Sequence, residues 1–201
     1  MNLPARNAQG FTLIEMMVAL VLGLIVSAAV LAFIFSLIRA NSETVLSTRL
    51  NQELRATMAV VTAELRRARG MRDPISAVAT AGAVNNFAGV NMATAGCIRY
   101  AYETDAAALN FRAIRLNAGS LVLAQAAADP GCAAAGTPLN SDGIEITSIT
   151  FTRPAGASDR RVDVQMTGRL RNPPAYMGAN ASMAVTSKTI RQTVSIRSND
   201  S

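Results

Sequence analysis

Hydrophobic residues follow three successive patterns along this chain. Over residues 16–38 they run on without a charge, for 23 residues. At ~1.5 Å per residue such a run spans a bilayer core of ~30 Å. The pattern then turns amphipathic: Leu46, Leu50, Leu54, Met58, Val61, Leu65 and Ala68 recur at spacings of three and four, while Arg49, Glu53, Glu64, Arg66 and Arg67 take the other faces. No Pro falls between residues 11 and 73, and Gly70 followed by Pro74 supplies a stop. The spacing predicts one helix over residues 11–69. Its first half is apolar all round; its second half carries a single stripe that needs a covering layer. Glu64 and Arg67 are placed for a weak i,i+3 pair.

Residues 71–95 are rich in Ala, Gly, Asn and Thr and read as a surface loop with room for a short strand. From residue 96 the period becomes two. Ile98, Tyr100 and Tyr102 alternate with Cys97, Arg99 and Ala101. Residues 109–116 and 121–124 flank Asn117-Ala118-Gly119-Ser120, a hairpin turn. Asp129-Pro130-Gly131 is a further turn, and residues 132–137 read as a loop. Three later strands follow, over 144–152 with Ile144 and Ile146 on one face, 161–170, and 189–197, the last two joined by a long connection holding Pro173-Pro174. The expected class is α+β, with an antiparallel sheet packed on the second half of the helix.

Composition narrows the chemistry. His is absent, so Ser-His-Asp and Cys-His sites are excluded and the commonest metal ligand is missing. The single Lys, Lys188, sits among Val185, Thr186 and Ser187 without the surroundings of a Ser-Lys catalyst. Glu103 and Asp105 lack the third oxygen ligand and the Gly of a calcium loop, so they read as turn or surface acids. No Gly-rich phosphate loop occurs. These features point to a protein that is not an enzyme, with no catalytic residue, no metal and no cofactor. The net charge is +6, and 18 of the 19 basic residues are Arg, spread with no block of five or six. That spread argues against nucleic acid as a partner and for a solvated face with Arg pairing to neighbouring subunits; a DNA-uptake role through scattered Arg is the competing case.

The N-terminal residues carry the sharpest signal. Gly10-Phe11-Thr12-Leu13-Ile14-Glu15 opens the apolar run, behind a short leader whose only charge is Arg6. An acid at mid-membrane costs on the order of 2.5–3.5 kcal/mol, so Glu15 needs a partner or an interfacial position. A secretory signal peptide would have an apolar core of only about 7–15 residues. A plain signal anchor fits the length but leaves Gly10-Phe11 and Glu15 unexplained. The junction resembles the type IV prepilin signal. The resemblance implies cleavage between Gly10 and Phe11 by the prepilin peptidase and N-methylation of Phe11. It also implies that Glu15 pairs with the terminal amine of an adjacent subunit during assembly, and it sets a leader over 1–10, an assembly helix over 11–38, its amphipathic continuation over 39–70 and a β-rich head over 71–201. A cytoplasmic leader follows from this resemblance alone, because Arg39, Arg49 and Arg55 after the run leave the charge rule neutral or contrary. Many major pilins carry a helix-loosening Pro near the position of Ala32, and this chain does not.

The head then lies outside the inner membrane. In an oxidising compartment two cysteines, Cys97 and Cys132, are most simply a disulfide; two unpaired buried thiols are the alternative. The run Gly96-Cys97-Ile98-Arg99-Tyr100-Ala101-Tyr102 looks like the first cysteine strand of PilW-type minor pilins. Ile149-Thr150-Phe151-Thr152, Thr167-Gly168-Arg169-Leu170 and Arg66-Arg67-Ala68-Arg69-Gly70 are similar to later parts of that family. That likeness implies a minor pilin that primes assembly of a type IV pilus and sits at or near its tip. Its implied partners are other minor and major pilins, the inner membrane and a tip adhesin. Two rivals stand beside it: a J-type pseudopilin of type II secretion, a family that commonly carries Trp in its head where this chain has none, and a signal-anchored periplasmic binding domain.

Overall fold

The computed structural model describes residues 10–68, 90–103, 109–155, 161–172 and 187–196. Its elements are α1 (Leu13–Arg67), β1 (Cys97–Glu103), β2 (Leu109–Asn117), β3 (Ser120–Ala126), β4 (Thr137–Pro138), β5 (Ile144–Thr152), β6 (Arg161–Leu170) and β7 (Ser187–Ser195). The chain divides into two compact units, Met1–Val45 and Leu46–Ser201.

In the first unit α1 is uncovered. Every described residue of the apolar run is exposed, including Leu20, Ile25, Phe33 and Phe35. The helix is long and apolar enough to cross a membrane. Two of its hydroxyls bond back to the helix itself. Ser27 donates to the Gly23 carbonyl (2.8 Å) and Ser42 to that of Ile38 (2.9 Å). Back-bonding of this kind satisfies a hydroxyl that the neighbouring apolar side chains cannot. The helix continues unbroken through Ala32.

In the second unit the amphipathic stripe is core. Leu50, Leu54, Met58, Val61, Leu65 and Ala68 are buried, and Leu46 packs against them. Thr57 and Thr62 share the buried face by donating back to the Glu53 and Ala59 carbonyls (both 3.0 Å). The helix closes where the Ala68 N–H reaches the Leu65 carbonyl (3.1 Å), with Arg66 and Arg67 in the last turn facing the negative end of the helix dipole. Of the expected helix, Arg69 lies outside the described residues, and Phe11 and Thr12 precede α1 because Thr12 caps it.

The expected single antiparallel sheet is in fact two. One has the order β1-β2-β3-β4 and the other β5-β6-β7, every pair antiparallel. The β2–β3 turn leaves only Ala118 and Gly119 between the paired Asn117 and Ser120, both at positive φ (46° and 79°). That is the backbone a two-residue hairpin with the strands' own twist requires. A Cβ on Gly119 would also stand 2.6 Å from Glu145 Cγ, so this turn must be bare to reach β5. There the Ile146 N–H donates to the Gly119 carbonyl (2.8 Å) and joins the two sheets.

Buried Asn140 carries the chain from one sheet to the other. It accepts from the Leu121 N–H (2.7 Å) and donates to the carbonyls of Ser141 and Ile144 (both 3.1 Å). Three bonds meet most of its hydrogen-bonding capacity, which is what a buried amide needs.

One detail corrects the sequence reading and two refine it. Residues 132–137 are not all loop, since Thr137 and Pro138 pair with Leu123 and Val122; as a short edge strand, β4 tolerates Pro. Ile144 and Ile146 do share the inner face, but a bulge between Ile146 and Ser148 rephases β5, so Ile149 and Phe151 are the inward residues beyond it. Within 71–95 only residues 90–95 are described; there Asn91 exchanges both backbone bonds with Arg99 (2.8 and 2.9 Å). The connection around Pro173-Pro174 and most of the Glu103–Asp105 turn lie outside the described residues.

Candidate processing and assembly site

Gly10 is exposed, and no atom stands within 4 Å of where its Cβ would be. Phe11 is 82% exposed. The Gly10–Phe11 peptide bond therefore sits on accessible, non-helical backbone just before α1. Helical backbone would have to unwind to enter a peptidase; this segment does not.

Thr12 and Glu15 build the helix start between them. The Glu15 N–H donates to Thr12 Oγ1 (3.3 Å), and Glu15 Oε2 accepts from the Thr12 N–H (3.3 Å) and from the Thr12 hydroxyl (3.2 Å). This is a capping box, with the Ncap and N3 side chains each satisfying the other's backbone donor. The carboxylate lies in the first turn, where the helix dipole favours an anion. Both effects lower the penalty of holding Glu15 in a low-dielectric layer, and Oε1 is left open to an outside donor. The sequence carries this signal as Thr-x-x-Glu immediately ahead of an apolar run, which the reading of Glu15 as the prepilin acid and register partner does not use.

A second arrangement, in the Leu46–Ser201 unit, docks the helix on the first sheet. Glu64 is not a surface acid. It accepts from the Tyr100 hydroxyl (3.0 Å) and from Arg112 Nη1 (3.1 Å), and the expected Arg67 pair is its longest contact (3.5 Å). The Arg67 and Arg112 guanidinium groups stand 5.1 and 5.4 Å from the Tyr102 ring centre. Burial, then the Glu64 charge, push the Tyr100 hydroxyl far above the usual phenol range.

The cysteines are joined: Cys97 in β1 is disulfide-bonded to Cys132, with Cα atoms 6.1 Å apart. The loop so fastened is also held by the Arg99–Asp129 ion pair, by Arg115 Nε donating to the Ala134 carbonyl (3.0 Å), and by the Gly131 N–H on Asp129 Oδ1 (2.9 Å). Among the described residues no group of three His, Cys, Asp or Glu is placed to hold a metal ion.

An accessible Gly-Phe junction, a capped acid five residues past the Gly and an uncovered apolar helix define a prepilin-type chain. Residues 5–31 accordingly match the prokaryotic N-terminal methylation motif. Residues 43–195 match the model of prepilin peptidase-dependent protein B, and the chain belongs to that family, as a type IV pilin-like protein. Nothing matches among curated proteins. Among solved structures it is similar to a type IV-like pilin from Thermus thermophilus, at 14% identity and a TM-score of 0.45, covering 74% of this chain and 97% of that one.

Proposed function

We propose that this chain is a minor pilin of a type IV pilus, of the PilW type, which helps start assembly and sits at or near the tip. The observation that carries this reading is the Gly10–Phe11 junction, exposed ahead of the Thr12–Glu15 capping box and a helix whose apolar surface has no cover within its own unit. That surface fits two successive environments, lipid before assembly and other pilin helices after it. The prepilin peptidase cuts after Gly10 and methylates Phe11. Before assembly the chain is anchored once in the inner membrane with residues 46–201 in the periplasm, where the Cys97–Cys132 bond forms.

During assembly the amine of a neighbouring Phe11 reaches Glu15. In a helix bundle an unpaired carboxylate is costly, so a wrong register is penalised and the pair selects the right one. The experiment is cell fractionation. Gly10→Val is expected to leave uncut precursor in the membrane. Glu15→Ala is expected to be cut normally yet be lost from sheared pili. Recovery of the wild-type protein solely in a type II secretion pseudopilus would favour the pseudopilin role, and normal assembly of the Glu15 variant would refute the register pair.

A further inference from the structure

One margin of the buried helical stripe is closed by Glu64 against the first sheet; among the described residues the other margin is open. A groove of about 570 Å³ runs there between α1 and β7, lined by Arg55, Met58, Ala59, Thr62, Ala63 and Arg66 from the helix and by Ile190, Arg191 and Gln192 from the strand. Met58, Ala59, Ala63 and Ile190 give it apolar surface beside Thr62, and it carries three exposed guanidinium groups. Among the described residues none of the three has a carboxylate partner. The nearby acids are already engaged, Glu53 with Arg49, Glu64 with Arg112 and Arg67, and Asp163 with the Thr193 hydroxyl. β7 is the outer strand of its sheet among the described residues, so one row of its backbone donors and acceptors faces away from β6.

We propose that this groove seats an extended acidic segment of a different subunit. Arg55 and Arg66 lie eleven residues apart on one helix face, which is about 16 Å along the axis. An extended chain covers that distance in about five residues, and because its side chains alternate faces, two carboxylates about four or six residues apart meet both guanidinium groups while the backbone lies along β7, with Arg191 adding a third cation. A second copy of this chain is a poor occupant. It carries the same net charge of +6, and Asp142 is the one described carboxylate beyond residue 45 without a hydrogen bond or ion pair. Nucleic acid is disfavoured because no aromatic ring is among the described residues that line the groove to stack a base, while Met58, Ala59, Ala63 and Ile190 suit apolar side chains. The inference rests on the chain being one member of a mixed filament, and it supplies the chemistry of its neighbour.

The test places a photo-cross-linking residue at Ala63 or at Gln192 of the full-length protein in its native cells, with exposed Asn117 as control. The expected product is a cross-link to a different polypeptide, mapping to a peptide with two carboxylates about four or six residues apart. Combined Arg55→Glu, Arg66→Glu and Arg191→Glu changes should lower its yield at least about tenfold, the loss expected when close interfacial charge pairs are broken. The milder Arg→Gln set serves if the reversed charges prevent the Cys97–Cys132 bond from forming. A cross-link to a second copy, to the same chain or to nucleic acid overturns the proposal, as does yield no higher than at Asn117 or insensitive to the Arg changes. A mature chain beginning at Phe11 with no such cross-link sinks only this inference, whereas a different N-terminus sinks the pilin reading beneath it.

Discussion

Replacing Glu64 by Gln removes the charge on which the helix docks. The Glu64 and Arg112 side chains are 13% and 14% exposed, so neither ion is well solvated. Arg112 Nε already lacks a partner. Taking away one member of a buried pair costs about 3–5 kcal/mol, because the other charge stays buried alone. The residual exposure, and the amide oxygen that Gln still offers to the Tyr100 hydroxyl, reduce this to roughly 2–3 kcal/mol. Arg67 contributes little to that figure, since its side chain is 59% exposed. For a chain of this size each kcal/mol moves Tm by about 2–4 °C, so a fall of roughly 4–12 °C is expected. The assay is thermal unfolding of the full-length protein in detergent, followed by near-ultraviolet circular dichroism of the packed tyrosines. Adding Arg112→Met to Glu64→Gln should recover most of the loss, because no buried charge then remains unpaired. A single-variant shift under about 1 °C, which is below ~0.5 kcal/mol, would refute the reasoning, as would a double variant as unstable as the sum of its parts.

Reducing the Cys97–Cys132 bond, which closes a separation of 35 residues, should cost about 4 kcal/mol in the chain-entropy model; Tm with and without dithiothreitol measures it, and no change would contradict a stabilising role. Tyr100 makes the fold sensitive to alkali. Its hydroxyl ionises higher in the folded protein than in the unfolded chain, so this contribution is complete below about pH 10 and is lost as pH climbs above that value. Stability measured from pH 9 to 11 should therefore decline less steeply in Tyr100→Phe than in the wild type. Gly168→Ala places a Cβ 2.6 Å from Leu54 Cδ2 and 3.3 Å from the Glu145 carbonyl oxygen; overpacking should cost about 1–3 kcal/mol, and a neutral Tm would show that Leu54 has room to move.

How far the sequence disclosed this structure depends on the range over which each feature is encoded. The helix was legible because its information is local: Leu50, Leu54, Met58, Val61 and Leu65 repeat at the period of the element itself, and all are buried. The Asn117–Ser120 turn was legible for the same reason. The face of β5 was only half legible, because one bulge near Thr147 shifts the phase so that Ile149 and Phe151 continue the inner face of Ile144 and Ile146, and no propensity marks that extra residue. The division into two sheets rests on Asn140 and Gly119, whose partners are distant or on another strand. Glu64 reads as an ordinary surface acid until β1 and β2 bring Tyr100 and Arg112 to it. At the N-terminus the acid and the junction were plain, whereas the reciprocal bonds of Thr12 and Glu15 needed geometry to see their double use.

The N-terminal residue of the protein isolated from its own cells tests the account most directly, by mass spectrometry of the terminal peptide. A chain that starts at Phe11 and bears one methyl group on its amine is the predicted result. A chain that retains residues 1–10, or one cut within the apolar helix, would contradict it.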